Sequence, residues 1–536
     1  MSIPSTYRFL FFATMLLTAA VQAVAAPLVD ARTLARDLGA PDLLVLDASP
    51  GPVHAKGHIP GAVPVDTMAL ASFGARETPL AQVERTWRAL GVDPSKRVVI
   101  YDTGGTWFAT RVFFALQDHG FPVERLAILD GGLAKWRAEG LPLTADATPP
   151  PARGTFRVAP RDDTRASVPD LVAASGDRAG KVLVDALGPE YYYGAAKFFD
   201  RGGHLPHAAL LPAEDFFNAD KTFKSPDAIR AMAAFQGVGP EREVLAYCGG
   251  GGAAAVPYFA LRFLAGYPRV RLSPESQYGW LQDDRELPLW TYATPSLLRT
   301  PDWLQAWGGK SMRMFGLSRV SIIDLRSAEA YAQGHLPFSV NVPAEAFRAG
   351  LSAPDALAAK LDAAGVDRSH EAVLVTGAGV TKDAALAWAM LRRLGQHRVS
   401  VLVASFDSID TMDRMARADF ALTKEPTKLP PRVGAPAAMK LLAASPPPPD
   451  GLVVVVSGAL PSPQTPPGKR IPLPATQFLG ADGTPKPAAD VWAMLAKAGV
   501  PRYAEIVTAA DDPADAALGS FVLRLMGFER ATPQID

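Results

Sequence analysis

A Gly-His-x-Pro frame occurs three times along the chain, as Gly57-His58-Ile59-Pro60, Gly203-His204-Leu205-Pro206 and Gly334-His335-Leu336-Pro337. Each copy follows a short apolar run that ends in aspartate, at Asp47, Asp185 and Asp324. Each is followed by a second apolar run (residues 97–101, 244–248 and 372–375), a helix-like segment, and a third apolar run (126–129, 270–272 and 399–403). A recurrence in fixed order constrains the fold more than any local propensity, because every copy must be the same supersecondary module. A fourth, fainter pass begins at residues 452–456, lacks Gly-His-x-Pro, and continues through Glu505-Ile506-Val507-Thr508 to a helix ending at Gly527. Short apolar strands alternating with helices specify an α/β fold, in which each parallel sheet is flanked by helices on both faces.

Proline-rich stretches without periodicity mark seams at 147–151, 289–301 and 423–436, and Pro446-Pro447-Pro448-Pro449 reads as a turn inside the fourth unit. They read as semi-rigid connectors between units that fold separately. The expected units are 27–148, 158–291, 296–422 and 432–536. Lysine plus arginine balance aspartate plus glutamate at 54 each. This gives no electrostatic case for nucleic acid or an anionic membrane as partner.

Arg8 is the only charge before an apolar run at 9–21, and Ala23-Val24-Ala25 supplies a small-x-small cleavage pattern. Residues 1–25 therefore read as a signal peptide, with a retained anchor as the alternative. The run is short for a membrane span, and no later stretch reaches that length, so no stable span is expected. The expected location is periplasmic or secreted.

Cys248 is the only cysteine among 536 residues. That excludes an intrachain disulfide framework and a cysteine-rich metal site. The pairs His204/His207 and His54/His58 have no third ligand at recognisable spacing, so no metal is expected. Cys248 ends an apolar strand and opens the run Gly249-Gly250-Gly251-Gly252-Ala253-Ala254, which leads into a helix-like segment. Backbone N–H groups of such a loop can converge on one point, and the helix start adds partial positive charge. Both favour thiolate, so a lowered thiol pKa is expected. The alternative is a buried, inert cysteine.

The run from Asp47 through Gly57-His58-Ile59-Pro60 and Tyr101-Asp102 to Leu129-Asp130-Gly131-Gly132-Leu133-Ala134-Lys135-Trp136 resembles the rhodanese (thiosulfate sulfurtransferase) family. It is similar to the inactive first domain of the two-domain members, where aspartate commonly stands at the cysteine position. The second unit, with Tyr247-Cys248 and its glycines, resembles their catalytic domain. The third resembles a cysteine-free copy and the fourth a degenerate one, with Asp102, Thr376 and about Thr508 at the equivalent loop position. The resemblance implies tandem rhodanese-like domains and a persulfide on Cys248, with Gly249, Gly250, Gly251, Gly252 and Ala253 as the substrate-binding cradle. Asp185, His204 and Trp280 would be structural supports. The implied donor is a small sulfur-containing anion or persulfide, and the acceptor a thiol or cyanide-like nucleophile, with no cofactor. A second reading is a non-turnover sulfur carrier or scaffold that binds a protein partner through its inactive domains.

The sequence departs from the family pattern at its cations. Leu187 and, about, Tyr191 stand where basic residues are common, and every position from 249 to 255 is Gly or Ala. Arg201, Arg262, Lys197 or a residue from another unit would have to substitute. A rhodanese-like phosphatase would need arginine at 254, which is alanine. Thr106-Trp107-Phe108 are expected at the interface of the first two units or lining the pocket, and Tyr191, Tyr192, Tyr193, Phe198 and Phe199 in the core or at the rim.

Overall fold

The computed structural model describes residues 27–67, 78–404, 406, 421–425, 427, 437–442, 453–458 and 468–535. The signal segment, the tetraproline turn and most of the third seam lie outside the described residues.

Among the described residues, four separate parallel sheets are present, one for each unit. In the first, the order across the sheet is Leu28–Val29, Leu126–Leu129, Arg97–Tyr101, Leu43–Asp47, Val63–Pro64. The third repeats it with Leu298–Arg299, Arg398–Leu402, Glu371–Val375, Val320–Asp324 and Ser339–Asn341. The second runs Val270–Leu272, Glu243–Tyr247, Lys181–Asp185, Ala209–Leu210, and a bridge from Arg165 to Leu272 marks the place of the fifth strand. The fourth runs Ala531–Pro533, Ile506–Ala509, Val453–Val456, Lys469–Pro472. The faint fourth pass is therefore a copy by topology, although it lost the Gly-His-x-Pro frame. Strands such as Val98-Val99-Ile100 are buried on both faces, as strands covered by helices on each side must be.

The repeated polar residues tie each unit together. Asp47, Asp185 and Asp324 accept the backbone N–H two residues on, from Ser49, Leu187 and Arg326, at 2.8, 2.9 and 3.0 Å. In the first two units a tyrosine from the central strand donates its hydroxyl to this carboxylate: Tyr101 to Asp47 at 2.8 Å and Tyr247 to Asp185 at 2.7 Å. The same hydroxyls accept the N–H of Ile59 and Leu205 from the Gly-His-x-Pro segments. In the third unit that strand ends in Val375, and Arg326 bonds Asp324 instead. His58, His204 and His335 pair through their backbones with Thr144, Trp290 and Thr423. The strand-end aspartate bond and the histidine backbone pairing thus recur in all three units, only one of which holds cysteine.

The units pack in pairs through the helix that follows the central strand. Helix Phe108–Asp118 meets helix Ala255–Phe259, with Phe113 on Phe259 and Phe114 on Tyr258, both at 5.0 Å. Helix Lys382–Arg393 meets helix Pro513–Leu525, with Trp388 on Phe521 at 5.4 Å. Helices buried this completely are apolar almost all round. The chain is thus a two-unit pair built twice. Tyr193 joins the pairs, donating to the Met526 carbonyl at 2.7 Å and stacking on Trp492.

The first two seams, expected as semi-rigid connectors, are packed onto the units they join. Gly154 donates its N–H to the Arg88 carbonyl, and the buried Phe156 packs on Phe121, so this stretch packs into the first unit. At the second seam Trp290 pairs with His204, and Leu298–Arg299 is already an edge strand of the third sheet. Among the described residues, no helix is long and apolar enough to cross a membrane.

Candidate active site

Cys248 follows the buried strand Glu243–Tyr247, whose last residue is fixed by the Tyr247–Asp185 hydrogen bond. Its N–H donates to Ser276 Oγ at 3.0 Å, and Ser276 donates onward to the Ser273 carbonyl. The carbonyls of Cys248 and Gly249 accept the N–H of Gln277 and Tyr278, each at 3.0 Å. These bonds fix the loop's entry. The sulfur accepts the Gly251 N–H at 3.1 Å, and the amides of Gly250 and Ala254 also favour its anion.

Three of the glycines sit in crowded places, and at Gly251 the neighbour is backbone that cannot yield. Gly251 has φ +79°, and a Cβ there would fall 2.6 Å from the Pro274 carbonyl oxygen. A Cβ on Gly249 would meet the Phe198 ring at 2.6 Å, and one on Gly252 the Trp107 ring at 3.0 Å. The half-buried Ala253 and the buried Ala254 lead into the helix.

The lowered thiol pKa expected from the loop is not found. Burial pushes the Cys248 thiol up. The amides of Ala254, Gly250 and Gly251 pull it down without prevailing, and the Asp185 charge adds to the rise. The sulfur's residue is 3% exposed, so desolvation of the anion is nearly complete and outweighs the backbone dipoles. The helix at the loop's end is α-helical only over Ala255–Phe259 before a π-helical turn at Ala260–Leu264.

The three expected supports lie behind the loop. Asp185 is fully buried and its carboxyl is pushed up to about 7, by burial, against the Leu187 N–H and the Tyr247 hydroxyl. Burial pushes His204 down to about 3; its Nδ1 lies 2.8 Å from the Tyr192 carbonyl and its ring stacks on Tyr192. Trp280 donates Nε1 to the Pro288 carbonyl at 3.1 Å.

The aromatic cluster divides. Tyr192 and Tyr193 are core, whereas Tyr191, Phe198 and Phe199 form a rim, with Phe198 over Gly249 and Phe199 5.8 Å from Tyr278. Trp107, stacked on Phe108 at 4.3 Å, covers the other side of the loop from the first unit. Two of the candidate cations are engaged elsewhere: Arg201 bonds the Leu287 carbonyl, and Arg262 bonds Asp163 and the Val270 carbonyl. Lys197 is exposed.

Sequence reasoning missed Arg111. It lies on helix Phe108–Asp118 of the first unit, is 3% exposed, and its Nε has no hydrogen-bond partner. A charged residue in the middle of the apolar run 108–116 was the available signal.

The equivalent loops carry other chemistry. Asp102 accepts the N–H groups of Gly104 and Ala109 and the Thr106 hydroxyl. Thr376 donates to the Gly379 carbonyl. In the fourth unit Ser457 donates to the Ala509 carbonyl as Ala186 does to that of Tyr247. This places Ala510, not Thr508, at the cysteine position; Thr508 lies inside the strand and bonds the Ala516 carbonyl. Among the described residues, no three of His, Cys, Asp and Glu gather as a metal site would require.

The rhodanese-like domain family matches residues 30–139 and 301–411, in the first and third units. Over 280 residues the chain is 34% identical to a probable 3-mercaptopyruvate sulfurtransferase of Pseudomonas aeruginosa, covering 48% of this chain and 96% of that protein. It is 30% identical over 241 residues to the sulfur carrier protein TtuD of Thermus thermophilus (42% of this chain, 82% of that one). It is 29% identical over 238 residues to a thiosulfate sulfurtransferase of Azotobacter vinelandii (44% and 86%).

Proposed function

The chain belongs to the rhodanese family, and we propose that it is an exported sulfurtransferase that carries sulfane sulfur on Cys248. The observation behind this reading is the convergence of loop amides on the only cysteine, at the end of a strand pinned by Tyr247 and Asp185. The Cys248 thiolate attacks the transferable sulfur of the donor; with 3-mercaptopyruvate the C–S bond breaks, and pyruvate leaves as its enolate with the bonding pair and takes up a proton. With thiosulfate, the S–S bond breaks, sulfite leaves with the bonding pair, and the enzyme holds Cys–S–S⁻. A thiol or cyanide then attacks the terminal sulfur and the thiolate returns, which is covalent catalysis in two half-reactions. The amides of the loop suit the anionic terminal sulfur, because fixed donors in a water-poor site stabilise charge without reorganising.

The donor is a small sulfur-containing anion. Gly and Ala fill positions 249–255, and Arg201 and Arg262 are occupied, so this side of the pocket holds a monoanion such as 3-mercaptopyruvate better than the thiosulfate dianion. The apolar N-terminal run supports export. Purified protein given cyanide and either donor should form thiocyanate, and Cys248→Ser should abolish it. No turnover with either donor would overturn the enzymatic reading. A stable Cys248 persulfide under those conditions, seen by mass spectrometry, would favour the sulfur-carrier reading, which the sealed thiol and the three cysteine-free units also suit.

A further inference from the structure

We propose that Arg111, contributed by the cysteine-free first unit, is the buried counter-ion of the Cys248 thiolate and of its persulfide. The inference rests on the reading of Cys248 as a sulfur carrier and supplies the cation its own loop lacks.

The placement follows from the helix. Residues four apart share a face, and Trp107, Arg111, Phe114 and Asp118 fall on one stripe of helix Phe108–Asp118 and its cap. Trp107 lies against Gly252 in the cysteine loop. Phe114 lies against Tyr258 in the helix leaving that loop. Arg111 stands between them and so faces the segment joining Gly252 to Tyr258. Its guanidinium lies 5.2 Å from the Phe114 ring centroid, and its Nε donates to nothing. A buried, incompletely satisfied guanidinium is costly, and its retention calls for an anion.

The titratable groups around it are Asp118, Arg165, His119 and Cys248; burial pushes the His119 imidazole down to about 4, so it is neutral where the thiol titrates. Asp118, on the same helix, is already paired with Arg165 and bonded by Thr164. Arg165 repels Arg111, whereas Asp118 and Cys248 attract it. The Asp185 carboxyl of the same sheet in turn opposes the Cys248 thiolate. Arg111 is therefore the cation set against both burial and Asp185.

The chain contains its own control. The second pair of units packs through equivalent helices and has no cysteine. Four residues past the cap of helix Lys382–Arg393, where Arg111 stands in helix Phe108–Asp118, is Ala385, which is fully buried. The cation stands at this position in the pair with the nucleophile and not at the equivalent position of the other pair, where Arg392 and Arg524 lie near the far ends of their helices.

The test is the pH dependence of Cys248 alkylation in the full chain, for wild type, Arg111→Met, Arg111→Gln and Arg111→Lys, with folding checked by circular dichroism. The neutral variants should raise the midpoint by about one pH unit, which is about tenfold less thiolate at any pH below it. Arg111→Lys should shift it by less than half as much. A folded neutral variant whose midpoint matches wild type would overturn the proposal. Should neither neutral variant fold, Cys248→Asp and Cys248→Asn are compared with Arg111 intact. The aspartate variant is expected to melt at or above the asparagine variant at pH 8, and a lower melting temperature would overturn it. These readouts need no turnover, so they fail independently of the sulfurtransferase assay.

Discussion

The amide of Gly251 meets the sulfur of Cys248 at 3.1 Å, three residues along the chain, and it can do so because Gly251 holds φ at +79°. The left-handed region costs an L-residue roughly 1–2 kcal/mol. Here a side chain would also come 2.6 Å from the Pro274 carbonyl oxygen. Gly251→Ala should therefore turn the amide away from the sulfur. Sulfur transfer should fall by about tenfold or more, since a single lost oxyanion-type donor costs at least that. Steady-state rates beside a thermal melt would show whether the loss exceeds the change in stability. Unchanged rates would remove the amide from the mechanism.

Desolvation wins over the loop amides at the resting thiol, and this has a measurable sign. Iodoacetamide should modify Cys248 with a midpoint above that of a free cysteine peptide, about 8.5. Donors must then meet a largely protonated thiol at neutral pH, so the first half-reaction should speed up with pH while the second, from the persulfide, should not. Pre-steady-state measurement of sulfite release between pH 6 and 9 separates the two. A flat first half-reaction would contradict the burial argument.

Asp185 and His204 give the fold opposing pH slopes. The folded Asp185 carboxyl is pushed up to about 7 from an ordinary 3.8. Its contribution is complete below 3.8 and is lost as pH rises through 7. The folded His204 imidazole is pushed down to about 3 from 6.5. Its contribution is complete above 6.5 and is lost as pH falls through 3. Between about 4 and 6.5 the two effects cancel. Asp185→Asn should leave the histidine slope exposed, so that stability rises with pH across this window by up to ~1.4 kcal/mol per pH unit. Denaturant midpoints at pH 4.5 and 6.5 would show it. A wild type that already slopes, with an Asn variant of the same slope, would mean that Asp185 titrates normally, and two flat profiles would mean that neither group is shifted.

The sequence carried the sheets because strands buried on both faces must be continuously apolar, and Gly-His-x-Pro marked the same turn three times. It carried Cys248 and its glycines because a cysteine on a strand-to-helix loop is local in the chain. It did not carry the thiol's pKa direction, since the competition between backbone dipoles and desolvation depends on how well other segments seal the sulfur. It offered Trp107 only as interface or pocket lining, and it did not reveal Arg111. Both reach the loop from more than a hundred residues away, across an interface that only the packing of two apolar helices defines. The fourth unit's register slipped by two residues in sequence reasoning because Ile506–Ala509 has no aspartate or tyrosine partner to mark its end.

Trp107 and Gly252 provide the sharpest check that the first unit walls the site. A Cβ on Gly252 would come within 3.0 Å of the Trp107 ring, and the ring is stacked on Phe108, so it cannot simply swing away. Gly252→Ala alone should lower activity several-fold by displacing the loop or the ring. Trp107→Leu alone should raise the donor's KM by opening one wall, with a smaller effect on kcat. Combined, the two should be less damaging than their product, because leucine vacates the space that the new methyl group needs. Residues in contact couple by about 0.5–3 kcal/mol, so a double-mutant cycle in kcat/KM should return a coupling of that size with the sign of rescue. Simple additivity would place Trp107 away from the loop in the working enzyme.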